Sequence, residues 1–327
     1  MDAVALTAPE RVEIIDVPKP DHGPNDVLVR MLGVGLCGTD TAVVRGGRKV
    51  PQLPWVLGHE GVGEIVEVGG FVRDRRVGQR VAIEPNYCCL RCDQCRTGFT
   101  SGCSDRIAVG LTAPGVLADH VVVPAAFAHP VADHVSIADL VCTEPLTVAR
   151  AAVRRSGVQP GHRCLVVGAG SQGLFVCQSL LEAGIAPSVQ EPHPGRRELA
   201  LSLGAVPDEP GRAVDHVFET SGAPGALESA LERLVPGGRA TLVGMNPAPV
   251  AVSSHAIVSR QWSITGSLIY DHPGDFADTI AMLEKGAIEP HRVLQARFSL
   301  HDAADAFASV RETPGKCWIS FEDDSAS

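Results

Sequence analysis

Residues with metal-binding chemistry are concentrated in one short segment of the chain. Its cysteines are Cys89, Cys92, Cys95 and Cys103. Four thiolates at this spacing can surround one zinc ion as a tetrahedron and leave no coordination position open for chemistry. The segment has few apolar residues, so metal binding would supply folding free energy. We therefore predict a structural zinc in the lobe 86–104, with the adjacent Cys88 as a bystander.

A second set of candidate zinc ligands is spread along the first part of the chain. It comprises a thiol, an imidazole and two carboxylates, from Cys37, His59, Glu60 and Glu144. One sulfur, one nitrogen and a carboxylate can bind zinc and leave a position for water or substrate, as catalytic zinc sites do. An isolated cysteine is commonly a buried thiol, so the prediction of a catalytic zinc depends on the set as a whole.

A glycine-rich turn indicates a third kind of chemistry. Its sequence is Gly168-Ala169-Gly170-Ser171-Gln172-Gly173, between a strand-like apolar run and a helix-like apolar run. Gly168 permits a tight turn, Gly170 lets the backbone approach a pyrophosphate, and Gly173 allows the helix to pack closely on the strand. The helix N-terminus would attract the phosphates, since its N–H groups are unpaired. We predict a dinucleotide site formed by these glycines and Gln172.

The choice between NAD and NADP depends on the residues after the turn. Glu191 lies eighteen residues beyond Gly173, at the end of a strand-like run. A carboxylate there can accept both ribose hydroxyls of NAD and would repel a 2′-phosphate. Arg196 and Arg197 follow closely. We therefore predict NAD as the cofactor, with Arg196 in the site and NADP not excluded.

The elements that must position these residues differ between the two parts of the chain. Before about Glu144, short apolar runs alternate with Gly- and Pro-rich turns, which predicts an irregular, mostly β domain. Beyond it, strand-like runs such as 163–167 alternate with helix-like runs such as 174–183. That alternation predicts a doubly wound parallel sheet. A strand, a helix and a strand follow from about Ile288, and residues 323–327 are expected to fray.

Composition excludes several classes of function. The 327 residues carry a formal net charge of -10 and contain no block of five or more Lys or Arg, so we expect neither nucleic acid nor a membrane surface as a partner. The first residues do not resemble a secretory signal, and no apolar run approaches the ~20 residues of a membrane span. We expect a cytoplasmic protein whose 10 cysteines serve as ligands or buried thiols.

Taken together, these motifs resemble the zinc-dependent alcohol dehydrogenases of the medium-chain dehydrogenase/reductase family. The matching segments cover nearly the whole chain in the family's order: Cys37-Gly38-Thr39-Asp40, Gly58-His59-Glu60 with Gly63, the lobe Cys89 to Cys103, Gly115 to Pro124, Glu144-Pro145-Leu146, and Phe298 to Phe321. Glu144-Pro145-Leu146 is similar to the polyol and threonine dehydrogenase branch.

The resemblance implies a fold in which two domains are nested along the chain. A GroES-like β-barrel catalytic domain would comprise 1–147. A Rossmann dinucleotide-binding domain would be inserted over 148–286. Residues 287–327 would then return to the catalytic domain.

The resemblance also implies roles for the metal ligands. Cys37, His59 and Glu144 would bind the catalytic zinc, the second of two zincs per chain, and Glu60 would be a fourth ligand that exchanges with water or substrate. In related enzymes either carboxylate can bind zinc only through water, so direct ligation by Glu60 or Glu144 stays open. Asp40 would accept a hydrogen bond from the far nitrogen of His59 and fix its tautomer.

The remaining implied roles concern proton transfer and the cofactor. Thr39 would contact the substrate oxygen and begin the proton relay, and Lys316 would lie near the cofactor phosphates. Many relatives have a histidine where this chain has Ala42, which puts the usual relay in doubt.

The function expected from the resemblance is NAD(P)-linked oxidation of a secondary hydroxyl of a polyol, sugar, cyclitol or amino alcohol, or reduction of the matching ketone. Secondary metabolism is one setting for such an enzyme, and a homodimer or homotetramer is expected. Two alternatives stay open. A non-catalytic metal- and dinucleotide-binding protein is compatible with Ala42. A zinc-independent quinone or enoyl reductase would lack the cysteine lobe that this chain keeps.

Overall fold

The computed structural model describes residues 1–322, and the expected fraying of 323–327 lies outside them. The chain forms two units, one from Met1–Glu144 together with the chain from His272 onward, the other from Pro145–Asp271. The first unit is thus made of two separate stretches of sequence.

The first stretch of this unit is dominated by strands. Its elements are β1 (Asp2–Ala8), β2 (Arg11–Asp16), β3 (Asp26–Gly35), α1 (Gly38–Val44), β4 (Trp55–Val56), β5 (Glu60–Val68), β6 (Arg80–Ile83), β7 (Asn86–Tyr87), α2 (Asp93–Arg96), β8 (Ile107–Ala108), β9 (His120–Pro124), β10 (Ala128–Pro130) and α3 (Ile137–Leu140). Short 3₁₀ helices lie at Thr100–Gly102 and Ala125–Phe127.

The second unit alternates strands and helices. Its elements are α4 (Thr143–Ser156), which begins two residues before the unit does, β11 (Cys164–Val167), α5 (Ser171–Glu182), β12 (Ser188–Gln190), α6 (Pro194–Ser202), β13 (Val206–Pro207), β14 (Val214–Glu219), α7 (Ala226–Leu231), β15 (Leu234–Leu242), α8 (Ser254–Arg260) and β16 (Ser263–Gly266).

The returning stretch completes the first unit. Its elements are α9 (Gly274–Glu284), β17 (Leu294–Ser299), α10 (Ala303–Ser309) and β18 (Lys316–Ser320), with 3₁₀ helices at Pro290–Val293 and Leu300–Asp302.

One sheet organises the first unit. The strand order is β10-β6-β5-β3-β18-β17, and β9 also pairs with β3. The central strand β3 has a nearly continuous buried run, as a strand covered on both faces requires. The last strand β18 pairs with it antiparallel, with Ile319 opposite Val34. The C-terminal strand therefore completes the sheet that the N-terminal strands begin.

Helix α9 differs from the sequence expectation, which placed 148–286 in one dinucleotide-binding domain. The structure assigns His272 and all of α9 to the first unit. The reason is local packing, because the Phe276 ring lies 4.7 Å from the His129 ring and Glu284 accepts a hydrogen bond from the Ala132 N–H. An amphipathic helix that follows a parallel sheet carries no sequence signal of which unit will cover its apolar face.

The second unit contains a six-stranded sheet in the order β13-β12-β11-β14-β15-β16, and every pair is parallel. The central strand β11 is buried at all four residues, which explains its uninterrupted apolar sequence. The doubly wound parallel sheet predicted from the sequence is confirmed. None of the helices in residues 1–322 combines the length and apolar character needed to cross a bilayer.

Candidate functional site

Cys37 is positioned by the junction between β3 and α1. It is the N-cap residue of α1, and its N–H donates to Asp40 Oδ2 at 3.0 Å. Gly35 lies just before it, where an added Cβ would collide with the Glu60 carboxylate and with the Lys316 side chain. The glycine therefore permits the thiol, the carboxylate and the ammonium to approach one another.

His59 is positioned by a glycine and by a carboxylate. Gly58 has a φ of 86°, a left-handed backbone conformation that favours glycine. The His59 ring nitrogen Nδ1 lies 3.0 Å from Asp40 Oδ1. If Nδ1 carries the proton, as a donor to this carboxylate must, then Nε2 has a free lone pair. Burial disfavours the charged ring, but Asp40 and Cys37 raise the pKa of His59.

These elements bring together one sulfur, one nitrogen and one carboxylate. The ligand atoms of Cys37, His59 and Glu60 all lie within 4.8 Å of one another. The donor set fits zinc, which accepts thiolate, imidazole and carboxylate ligands and keeps an open position in catalytic sites. Glu60 is buried, and neither of its oxygens makes a hydrogen bond of acceptable geometry.

Glu144 lies near this group but is not part of it. It occupies the first turn of α4 and is 7 % exposed. Burial raises the pKa of the Glu144 carboxyl; His59 and Lys316 oppose that rise, and Glu60 adds to it. The structure thus favours Glu60 over Glu144 as the carboxylate closest to the thiol and the imidazole.

Lys316 has a different environment from the one that the resemblance implied. Its side chain is buried, and Nζ donates to the Leu36 carbonyl at 2.9 Å. Nζ also lies 2.5 Å from Glu60 Oε2, as an ion pair whose angles do not fit a hydrogen bond. Burial opposes the charge, but Glu60 and Cys37 raise the pKa of Lys316. The ammonium contacts Leu36 and Glu60 of the first unit and is therefore not available to bind cofactor phosphates.

Thr39 lies in the first turn of α1 and is half-buried, one residue after Gly38 and two after Cys37. The Thr39 hydroxyl and the Cys37 thiol therefore both belong to the N-terminal end of α1. Ala42 follows in the same helix and is also half-buried, so no imidazole is supplied at that position.

The cysteine lobe has the geometry of a closed thiolate site. The sulfurs of Cys89, Cys92, Cys95 and Cys103 lie within 4.8 Å of one another, and Cys88 is outside the group. Cys89 Sγ and Cys95 Sγ are 4.0 Å apart, close to the ~3.8 Å edge of a tetrahedron with Zn–S bonds of about 2.3 Å. Backbone N–H groups of Arg91 and Cys92 lower the pKa of the Cys89 thiol to about 6, whereas burial and the neighbouring thiols raise the pKa of Cys95.

The glycine turn of the second unit is open where a ligand would approach. An added Cβ at Gly168 would contact Ser221, and one at Gly173 would collide with the Gly168 carbonyl. Gly170, the N-cap residue of α5, has nothing within 4 Å of its Cβ position. Gln172 Oε1 is buried and has no hydrogen-bond partner. The turn therefore fits a phosphate ligand, with space at its second glycine and the N–H groups of the α5 N-terminus as donors.

Glu191 lies beside this turn, just after β12. Its Oε2 accepts the Ala169 N–H at 2.7 Å, and Oε1 accepts the His193 N–H at 2.8 Å. Each oxygen keeps a second lone pair, so a diol could still donate to the carboxylate. Arg196 donates its backbone N–H to His193 Nδ1, and Arg197 donates from Nη1 to the Glu191 carbonyl at 2.9 Å. The basic residues thus surround Glu191 without forming a side-chain ion pair with it.

The sequence did not predict the pairing of Lys316 with Glu60. The two residues are distant in the chain, and the sequence pattern around each gives no sign of the other. The His193 N-cap of α6 was also missed, although the Pro at the first helical position is a known start signal.

Two family models match this chain. Residues 23–133 match the alcohol dehydrogenase GroES-like domain, and residues 173–285 match the zinc-binding dehydrogenase family. A probable D-xylulose reductase A from Neosartorya fischeri is 31% identical over 93% of this chain and 92% of its own. A sorbitol dehydrogenase from Bacillus subtilis is 29% identical over 97% of this chain and 95% of its own.

Among solved structures, one described as a short chain alcohol dehydrogenase from Escherichia coli CFT073 was crystallised with NADH. It has a TM-score of 0.92 and 27% identity, covering 98% of this chain and 99% of the other. The combination of a GroES-like domain with an inserted Rossmann domain is therefore confirmed.

Proposed function

Since the chain belongs to the zinc-dependent alcohol dehydrogenases of the medium-chain dehydrogenase/reductase family, we propose that it interconverts a polyol or sugar alcohol and the matching ketone with NAD. The enzyme class, an oxidoreductase acting on CH–OH groups, follows from the family. The observation that carries the catalytic assignment is the convergence of Cys37, His59 and Glu60 within 4.8 Å. The polyol class is supported by the relatives named xylulose reductase and sorbitol dehydrogenase.

Cys37, His59 and Glu60 would hold the zinc, which when bound acts as a Lewis acid on the substrate oxygen. Asp40 holds Nδ1 of His59, so that Nε2 is the ligand atom. Glu144 is close enough to interact electrostatically with this group, and it would serve as a further ligand, directly or through water. The four sulfurs of the lobe would hold the second, structural zinc.

Thr39 would take the proton of the substrate hydroxyl and pass it toward solvent. It shares the first turn of α1 with Cys37, so that a substrate oxygen near the thiol is also near this hydroxyl. Since Ala42 supplies no imidazole, the relay would leave the protein from Thr39 through water or a cofactor hydroxyl.

The glycine turn would bind the cofactor pyrophosphate, and the bound nicotinamide would accept the hydride. Gly168, Gly170 and Gly173 shape the turn, and the buried Gln172 Oε1 lies beside it. A buried carboxylate at Glu191 favours ribose hydroxyls over a 2′-phosphate, which supports NAD. Arg196 would contribute to the adenosine side, and NADP is the alternative tested below.

A homodimer is the assembly that the surface of the second unit supports, and a homotetramer is the alternative. Strand β16 lies at the edge of its sheet and all four of its residues are exposed. Ile264 of this strand is a large exposed apolar residue, and the second unit also exposes Leu268, Met245 and Val258. Such an edge favours pairing with a second copy. The reducing cytoplasm is the compartment that suits the thiolate ligands.

Metal content and turnover of wild type and Cys37→Ala test the catalytic assignment. Wild type should oxidise polyols with NAD, and Cys37→Ala should bind one zinc fewer per chain and lose turnover. Cys177→Ala is the matched control, because Cys177 is a buried thiol in α5 outside every ligand group. Unchanged zinc content in Cys37→Ala, or cofactor binding without turnover of any alcohol in wild type, would favour a non-catalytic binding protein.

A further inference from the structure

Two buried residues and one half-buried residue of the first unit form another cluster, separate from Cys37 and from the cysteine lobe. Glu84 follows β6, His129 lies in the paired strand β10, and His272 precedes α9. Glu84 Oε2 lies 2.6 Å from His129 Nε2 and 2.7 Å from His272 Nδ1. The ligand atoms of all three lie within 4.8 Å of one another.

The Glu84 carboxylate lacks a fixed positive partner. It is 0% exposed, and its other oxygen Oε1 is buried without a hydrogen bond. Within residues 1–322, neither Lys nor Arg forms an ion pair with it. An ionised carboxylate removed from water requires a compensating cation. A metal ion bound to the three side chains would supply that charge.

The two rings can present lone pairs toward Glu84. In the described part of the chain, His129 Nδ1 and His272 Nε2, the outer ring nitrogens, have no hydrogen-bond partner. Each ring can therefore carry its proton on the outer nitrogen and leave the inner nitrogen as a ligand. A metal about 2.1 Å from each ligand atom would separate those atoms by about 3.4 Å in a tetrahedron. The side chains, whose ligand atoms lie 2.6 and 2.7 Å apart in the two Glu84–histidine contacts, therefore need to move apart by roughly 0.7 Å.

We propose that Glu84, His129 and His272 bind a third divalent metal ion, with zinc as the ion that best fits two imidazoles and a carboxylate. The ion would supply the positive charge that Glu84 lacks and a ligand for Oε1. It would also fasten His272, whose backbone N–H donates to Thr100 Oγ1 of the cysteine lobe at 2.6 Å. The site would thus connect the end of β6, β10 and the start of the returning stretch.

Zinc measured by mass spectrometry, after saturation and removal of loose metal, tests the proposal on the full chain. Wild type should bind three zincs per chain, and His129→Asn and His272→Asn should each bind two. His301→Asn is the matched control, because His301 is exposed and belongs to no ligand group; it should keep three. Two zincs in wild type, unchanged in both cluster variants, would overturn the proposal and identify a hydrogen-bonded cluster with a protonated histidine.

Cobalt(II) substitution of wild type gives a second measurement that does not depend on how the variants fold. The cluster contains no sulfur, so filling it should add ligand-field absorption without adding thiolate-to-cobalt charge transfer. If the ligand-field absorption rises only in proportion to the thiolate-to-cobalt charge-transfer band, the cluster does not bind cobalt and the proposal fails. Because Cys37→Ala removes a sulfur-containing site, failure of the catalytic assignment and failure of this third site are distinguishable.

Discussion

The ammonium nitrogen of Lys316 lies 2.5 Å from Glu60 Oε2, and both side chains are almost completely buried. Glu60 also converges with Cys37 and His59. A metal ion at that group and the lysine would therefore compete for the same carboxylate. We infer that Lys316 is a positioning residue that neutralises Glu60 whenever the carboxylate does not face the metal.

Replacing Lys316 with methionine should destabilise the zinc-free protein by about 3–5 kcal/mol, because a buried carboxylate loses its counter-charge. The loss should be smaller in the zinc-loaded protein, where the metal replaces the lysine as the positive partner. Thermal unfolding of both forms measures the difference. Lys285→Met is the control, since Lys285 is exposed. An equal loss of stability in the zinc-free and zinc-loaded forms would show that the metal does not replace Lys316 as the positive partner of Glu60.

The candidate site residues that the structure brings together are those with a local signal in the sequence. The lobe cysteines span few residues, and the glycine turn is followed at once by its helix, so short-range geometry defines both. The structure also brings Cys37 and His59 together, each near a glycine that its surroundings require. A Cβ at Gly35 would collide with the Glu60 carboxylate, and Gly58 has a φ of 86°.

Sequence reasoning was less informative where the partner is distant in the chain. Nothing near Lys316 indicates that its ammonium binds Glu60 rather than a phosphate. The same holds for Glu84, whose histidine partners come from a neighbouring strand and from the returning stretch. Helix α9 was assigned to the other unit for the same reason, because Phe276 finds its partner His129 only after folding.

Removing the carboxylate in Glu191→Ala should raise the KM for NAD by about 10–100-fold, the loss expected for hydrogen bonds to a charged group. The KM for NADP should change less, because a 2′-phosphate is no longer repelled. Steady-state kinetics with both cofactors measures the ratio. Glu198→Ala, at an exposed position in the following helix, should leave it unchanged. A parallel rise for both cofactors would mean that Glu191 only braces the turn through Ala169.

The second unit should lose stability in mild acid because of His216. Burial lowers its pKa to about 4, with His162 and Arg239 adding to the effect and Asp215 opposing it. Since the unfolded value is about 6.5, the unfolded chain takes up a proton at intermediate pH that the folded unit does not. Stability is therefore lost as the pH falls from about 6.5 toward 4.

The variant His216→Gln should remove this part of the acid sensitivity. Between pH 7 and pH 5, its melting temperature should fall less than that of wild type, by roughly 2–4 °C for each 1 kcal/mol. His255→Gln, at an exposed position in α8, should behave like wild type. Identical pH profiles for His216→Gln and wild type would contradict the assignment.

The two edge strands of the parallel sheet differ in composition, and the difference predicts which edge pairs with a second copy of the chain. Strand β13 is two residues long and contains Pro207, which cannot donate to a neighbouring strand. Strand β16 contains neither proline nor charge, and within the described chain only β15 pairs with it. Ile264→Lys places a charge on that edge and should convert the assembly to monomers at concentrations on the order of 1 μM. Sedimentation velocity measures the mass, and Phe71→Lys, on an exposed residue of the first unit, should retain that of wild type. If Ile264→Lys also retains it, the subunits associate through another surface.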